Sequence, residues 1–136
     1  MSAFEYGRPS TADRAVQVVR GIYDAFARRD LDAVLAFVAE DAELHLTGTA
    51  SRIGRTEPYR GHAGLREYFA DAARVWDDLT LHAEDIRAAG HGVVVFGHAE
   101  GSIDGQPVRR SAVWVWQLRD DLAVSVRVTD LGGNER

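Results

Sequence analysis

The sequence predicts an α+β domain in which three helices pack on one face of a curved, mainly antiparallel sheet. Three observations predict it. Apolar residues recur at helical spacing in the segments up to Trp76, and from Leu79 onward the period becomes alternating. Between two of the alternating runs stands Asp104-Gly105, a strong two-residue hairpin signal because both positions tolerate positive φ.

The elements follow in order. Residues 1–9, with Gly7 and Pro9 and no period, read as a loose arm. Ser10 precedes Asp13 by three residues, the spacing of a capping box, and Ala15, Val19, Ile22 and Phe26 then mark a helix ending near Arg28. Asp30 caps a second helix with Leu31, Val34, Leu35 and Val38 on its buried side. A short strand is expected at Ala42–Thr47, and the polar segment Gly48–Arg60 reads as a surface loop. A third helix runs from about His62 to Trp76 through Leu65, Tyr68, Phe69 and Ala72. Four strands complete the domain at Leu79–Ala88, Gly92–Ile103, Val108–Leu118 and Leu122–Asp130, giving a single domain over 10–131 with a tail at 132–136.

Composition limits the chemistry. The chain has 136 residues, enough for one core and a ligand cavity. It has no Cys, so disulfides, thiolate zinc sites and cysteine nucleophiles are excluded. Every basic residue is Arg, and without Lys no Schiff base can form. A net charge of −5 gives no electrostatic reason for nucleic-acid binding. No apolar run approaches the roughly 18 residues of a membrane span, and MSAFEYGRPS lacks a signal-peptide core. The expectation is a cytoplasmic protein without cofactor, nucleic acid or membrane as partner.

Hairpin register locates the concave face. If Ile103 pairs with Gln106, then Val93 meets Trp116, Val95 meets Trp114, Gly97 meets Ala112 and Ala99 meets Arg110 on one face. Small residues there leave space beside two indoles and a guanidinium, and glycine also lets a strand bend sharply. For the last hairpin, a three-residue loop at Arg119, Asp120 and Asp121 pairs Leu118 with Leu122, Trp114 with Val126, Ala112 with Val128 and Arg110 with Asp130. A two-residue turn would set Trp114 beside Arg127 and move Asp130 to the other face.

The stretches YDAFARRDLDAVLAFVAEDAE and YRGHAGLREYF, followed by four strands, resemble the SnoaL-like branch of the nuclear transport factor 2-like superfamily over about residues 12–130. The resemblance implies a conical α+β barrel, three helices in a strongly curved sheet, with an apolar cavity between them and a homodimer through the sheet. It implies either an isomerase, cyclase or lyase acting on a hydrophobic cyclic or polyketide-like compound, or a non-catalytic binding or dimerisation module. The ketosteroid isomerase set is absent: its base position falls on Leu46, its Tyr on Ile22 beside Tyr23, and its oxyanion acid on Trp114. The acid/base Asp of SnoaL-type cyclases falls near Val128 and their His near Trp114, with Asp130 two residues further along the same face. Of the two acids and Arg that epoxide hydrolases use, only Arg110 and Asp130 can be placed together.

The candidate catalytic residues are therefore Asp130 as proton acceptor, Arg110 as its charge partner and Tyr23 as hydrogen-bond donor. The bland alternative for Arg110 and Asp130 is a cross-strand ion pair at the sheet end. Trp114, Trp116, Leu46, Phe69, Trp76 and Val128 are the candidate substrate-binding residues, although the two indoles would equally fill a core. No metal site is expected: the five His show no His-x3-His spacing, and His82, His91 and His98 lack evident convergent partners. His45 reads as an interface or surface group, and His62 as part of a turn. Val94, Phe96, Val113 and Val115 share the outer face with Glu100 and Arg109, which suits a sheet-to-sheet contact.

Overall fold

The computed structural model of the chain describes residues 10–134, so the expected arm at 1–9 lies outside the described residues. Helix α1 (Thr11–Ala27) opens with the expected capping box: the Ser10 side chain accepts from the Asp13 amide, and Asp13 accepts from the Ser10 amide. Its face of Val19, Ile22, Tyr23 and Phe26 is buried. At the α1–α2 corner Arg29 adopts φ 55°, and its guanidinium lies over the Phe26 ring while donating to the Phe26 and Leu79 carbonyls. Helix α2 (Leu31–Ala36) is capped by Asp30, which accepts from the Ala33 amide.

Strand β1 (Val38–His45) starts four residues earlier than expected and takes Val38 from the expected end of α2. The segment expected as a surface loop instead folds into a helical turn α3 (Thr47–Ala50), a 3₁₀ turn (Ser51–Ile53) and a short strand β2 (Tyr59–Arg60). Thr49, Ala50 and Tyr59 are buried there. Their burial follows from tertiary partners: the Trp76 indole donates to Thr49 Oγ1 at 3.1 Å, and the Tyr59 hydroxyl donates to Asp71 at 2.9 Å. Helix α4 (Gly61–Val75) buries Leu65, Tyr68 and Ala72, and the His62 ring ties its first turn to the Val38 carbonyl.

Strands β3 (Asp78–Ala89), β4 (Gly92–Ile103), β5 (Gln106–Arg119) and β6 (Leu122–Asn134) form the meander, with β6 running past its expected end at Asp130. The sheet order is β2-β1-β6-β5-β4-β3, antiparallel except for β1 beside β6. It is an open, curved sheet with edges at β2 and β3, and the helices close the cone over its inner face. Every expected β4–β5 pair is present, with Asp104 and Gly105 at φ 50° and 78° in the turn.

The last hairpin differs from expectation. Asp120 and Asp121 both take positive φ, 53° and 62°, and make a two-residue turn in which Arg119 pairs with Leu122. An irregularity between Gln117 and Leu118 then leaves Val124 unpaired. Trp114 therefore meets Val128 rather than Val126, and Ala112 meets Asp130 rather than Val128. Two-residue displacement preserves the face, because side chains alternate with a period of two. A second bulge, at Leu131, moves Arg110 opposite Gly133.

Candidate functional site

The inward side chains of β5 run from large to small and then to charged: Trp116, Trp114, Ala112, Arg110. This gradient shapes the interior. At its wide end lies a cavity of about 410 Å³ between α3, α4 and the inner sheet face. Trp114, Trp76, Leu46 and Val128 line it together with Arg110 and Asp130, so six of the nine expected site residues share one space. At the narrow end a recess of about 50 Å³ holds the other three, Tyr23, Phe69 and Trp116. Leu46, Tyr68, Leu81 and Trp114 line both spaces and so stand at their junction.

Tyr23 sits deep in the apolar end. Its hydroxyl accepts from Trp116 Nε1 at 3.2 Å, and its ring meets Trp114 and Trp116 edge-on. Burial pushes its pKa well above the usual phenol range, so it stays neutral. Tyr23 thus lines the recess, apart from the cavity that Arg110 and Asp130 line. The two indoles also separate: Trp116 belongs to the packed recess, whereas Trp114 walls the open cavity.

Arg110 and Asp130 form a bidentate pair. Arg110 Nε lies 3.0 Å from Oδ2 and 3.2 Å from Oδ1, and Nη2 lies 3.0 Å from Oδ1. The Gly132 amide donates to Oδ1 at 2.7 Å. The Arg110 hydrogen bonds, against a smaller opposing effect of desolvation, hold the Asp130 carboxyl below the usual carboxylate range. The Asp130 side chain is 49% exposed and Arg110 29%, which places the pair at the mouth of the cavity. Among the described residues lining that cavity Asp130 is the one carboxylate.

Several lining residues escaped sequence reasoning. Thr49 and Arg52 come from the segment read as a loop, and Arg52 lies 5.3 Å over the Trp76 ring. Tyr68 was legible only as one residue of a helical apolar face. The small residues of the inner face divide in role: Ala99 and Ala112 line the cavity, whereas Gly97 admits a close backbone approach, since a Cβ there would stand 1.8 Å from the His82 carbonyl oxygen.

Two of the histidines have a partner that the sequence did not suggest. His82 and His98 are partners across β3 and β4 on the outer face, with rings stacked at 4.3 Å. His45 lies beside Glu43 at 2.6 Å.

A family model described as a SnoaL-like domain matches residues 19–126. The chain belongs to the SnoaL-like family. Three solved structures are similar to this SnoaL-like protein. A nuclear transport factor 2-like protein of unknown function from Burkholderia pseudomallei is similar at 25% identity and TM-score 0.78, over 86% of this chain and 90% of that one. TerC, co-crystallised with polyporic acid, is similar at 27% identity and TM-score 0.77, over 86% and 91% of the two chains. A protein from Xanthomonas campestris pv. campestris described as a candidate polyketide cyclase shares the fold at 23% identity and TM-score 0.74, over 88% and 91%. No curated protein is significantly similar to this chain. Among the described residues no helix is long and apolar enough to cross a membrane.

Proposed function

We propose that this SnoaL-like protein binds a hydrophobic cyclic or polyketide-like compound in the 410 Å³ cavity and acts on it as an isomerase, cyclase or lyase. The observation that carries the reading is the ionised pair of Arg110 and Asp130 at the mouth of a cavity walled by Trp114, Trp76, Leu46 and Val128. Such a site buries the apolar body of a ligand and leaves its oxygens to the charged end. The likeness to TerC, co-crystallised with polyporic acid, supports small-molecule binding and supplies a first compound to test.

The geometry sets the chemistry that Asp130 can perform. With three donors fixing its charge it is a weak base, suited to a carbon acid already activated by flanking carbonyls. The proton would pass to Asp130, and the electron pair would move to the carbonyl oxygen, where Arg110 stabilises the enolate. Tyr68, at the junction of the two spaces, is better placed than Tyr23 to present a hydroxyl to the ligand. A second reading, binding without turnover, draws on the half-exposed state of Asp130.

Thermal shift against ring compounds, polyporic acid first, tests both. A ligand at a hundredfold its Kd adds about 2.7 kcal/mol, a shift of several degrees. Ala99→Phe, which fills the cavity, should abolish it. Product formation lost in Asp130→Asn, with the shift retained, supports the enzyme. A shift without product supports the binding module, and no shift across the panel overturns the pocket reading.

We also propose a homodimer through the outer sheet face, where Phe96 and Val115 are 44% and 36% exposed beside Val94 and Val113. A monomer in sedimentation at micromolar concentration would count against it.

A further inference from the structure

The pocket uses the inner face of the sheet. On the outer face, β3 and β4 assemble a second group of side chains that it does not touch. His82 and His98 lie opposite each other, their rings stacked within 18° of parallel. Glu84 is the extra residue of a bulge between Ala83 and Asp85, and a bulge re-aims the side chain it carries. Here it brings Glu84 Oε1 to 2.7 Å from His98 Nδ1. Gly97 permits this, because the bulged strand passes where its Cβ would stand.

The hydrogen bonds decide which ring nitrogen of His98 carries the proton. A guanidinium can only donate. Arg109 Nη1 lies 3.1 Å from His98 Nε2, so Nε2 presents its lone pair and Nδ1 donates to Glu84. That is the arrangement of a metal-binding imidazole, in which a carboxylate on the other nitrogen fixes the tautomer and raises ligand basicity. The lone pair already faces a cation, the Arg109 guanidinium, which also approaches Glu100 at 3.8 Å.

The remaining donors surround the same point. His82 Nε2 lies 3.2 Å from Glu100 Oε1, and one ligand atom from each of His82, His98 and Glu100 falls within 4.8 Å of the others. Zinc–nitrogen bonds of about 2.1 Å set tetrahedral ligand atoms roughly 3.4 Å apart, so the group must close by up to about 1.4 Å and the His82 ring must turn out of its stack on His98 to aim its lone pair at the ion. The side chains that must move are His82 and Glu100, which are 40% and 52% exposed, while His98 is held in place at 11%. Two imidazoles and a carboxylate suit ions of the zinc class and not calcium or magnesium, which take oxygen ligands.

We propose that His82, His98 and Glu100 form a site for a divalent transition ion of the zinc class, with Glu84 orienting His98 and the Arg109 guanidinium as the resident competitor. Water completes the coordination.

The test is calorimetric titration of untagged, chelator-treated protein with zinc ion, with circular dichroism and Tm recorded for each variant. One equivalent per chain is expected, absent in His98→Ala. Glu84→Gln keeps all three ligands and should weaken binding by about 10–100-fold. Arg109→Gln should tighten it, a gain that misfolding cannot produce. The proposal is overturned if the natural chain shows no saturable binding, if zinc binds only Arg109→Gln, or if His98→Ala keeps the full equivalent. In that last case the ion would be held elsewhere, by His45, His62 or His91.

Discussion

Arg110 and Asp130 are joined by two parallel hydrogen-bonded arms although they are not opposite each other in the sheet. Asp130 faces Ala112, and Arg110 faces Gly133, so the guanidinium reaches across a diagonal. The bulge at Leu131 makes the reach possible by turning the strand just after Asp130, and the Gly132 amide, at φ 102°, folds back onto the carboxylate.

The pair makes a pH-dependent contribution. The folded pKa of Asp130 lies below its unfolded value of about 3.9, so the stabilisation is complete above that value and disappears as pH falls through the folded pKa. With the carboxylate half exposed, the contribution is about 0.2–1 kcal/mol. Arg110→Gln should remove this contribution near neutrality and should flatten the acid limb. Urea midpoints measured between about pH 6 and pH 2 check both.

A larger effect is expected at Tyr59 and Asp71. Burial alone would raise the Asp71 pKa, but hydrogen bonds from Arg74 at 2.6 Å and Tyr59 at 2.9 Å outweigh it and hold the carboxyl below the ordinary range. Tyr59→Phe removes a bond to a charged, largely buried group and should cost about 1.5–3 kcal/mol. Asp71 is stabilising above pH about 3.9, and that contribution is lost as pH falls through its folded value. The difference between the natural chain and Tyr59→Phe in urea unfolding should therefore narrow in acid.

Thr49 tests the pocket wall. It is 3% exposed and accepts the Trp76 indole N–H. Thr49→Val keeps the shape and leaves that buried donor without its acceptor, at about 1–3 kcal/mol. Trp76 fluorescence should shift, and ligand binding in the cavity should weaken with it.

Gly97→Ala forces a methyl group against the His82 carbonyl, and the backbone must give way. Overpacking of this kind costs about 1–3 kcal/mol. Because the same contact builds the bulge that aims Glu84, the variant should lose zinc affinity more than Glu84→Gln does. A stability unchanged from the natural chain would show that the strands can separate locally.

The limits of sequence reading are visible in the last hairpin. A three-residue turn is the expectation because its register pairs Val126 with Trp114 and Arg110 with Asp130. Two consecutive Asp residues both adopt positive φ instead. Asp130 nevertheless lines the cavity, since the turn and the Val124 bulge together displace β6 by two residues, an even number. No local signal announces either bulge. The loop reading of 48–60 failed for a related reason: the segment has no period, and its order comes from Trp76 and Asp71, which are distant in sequence.

Read alone, the sequence determined the three main helices, the caps at Ser10 and Asp30, the Asp104-Gly105 hairpin and the alternation of inner and outer faces. These are properties of local dihedral preference and periodicity, which act over a few residues. Tertiary structure decided where the space lies. Tyr23 and Trp116 close one end of the interior and Arg110 and Asp130 open the other, because bulges and long-range hydrogen bonds set how far neighbouring strands slide and bend. The same bending at Gly97 brings His82, His98, Glu84 and Glu100 together on the outer face. Convergence of that kind depends on the curvature of the whole sheet, which no stretch of sequence encodes by itself.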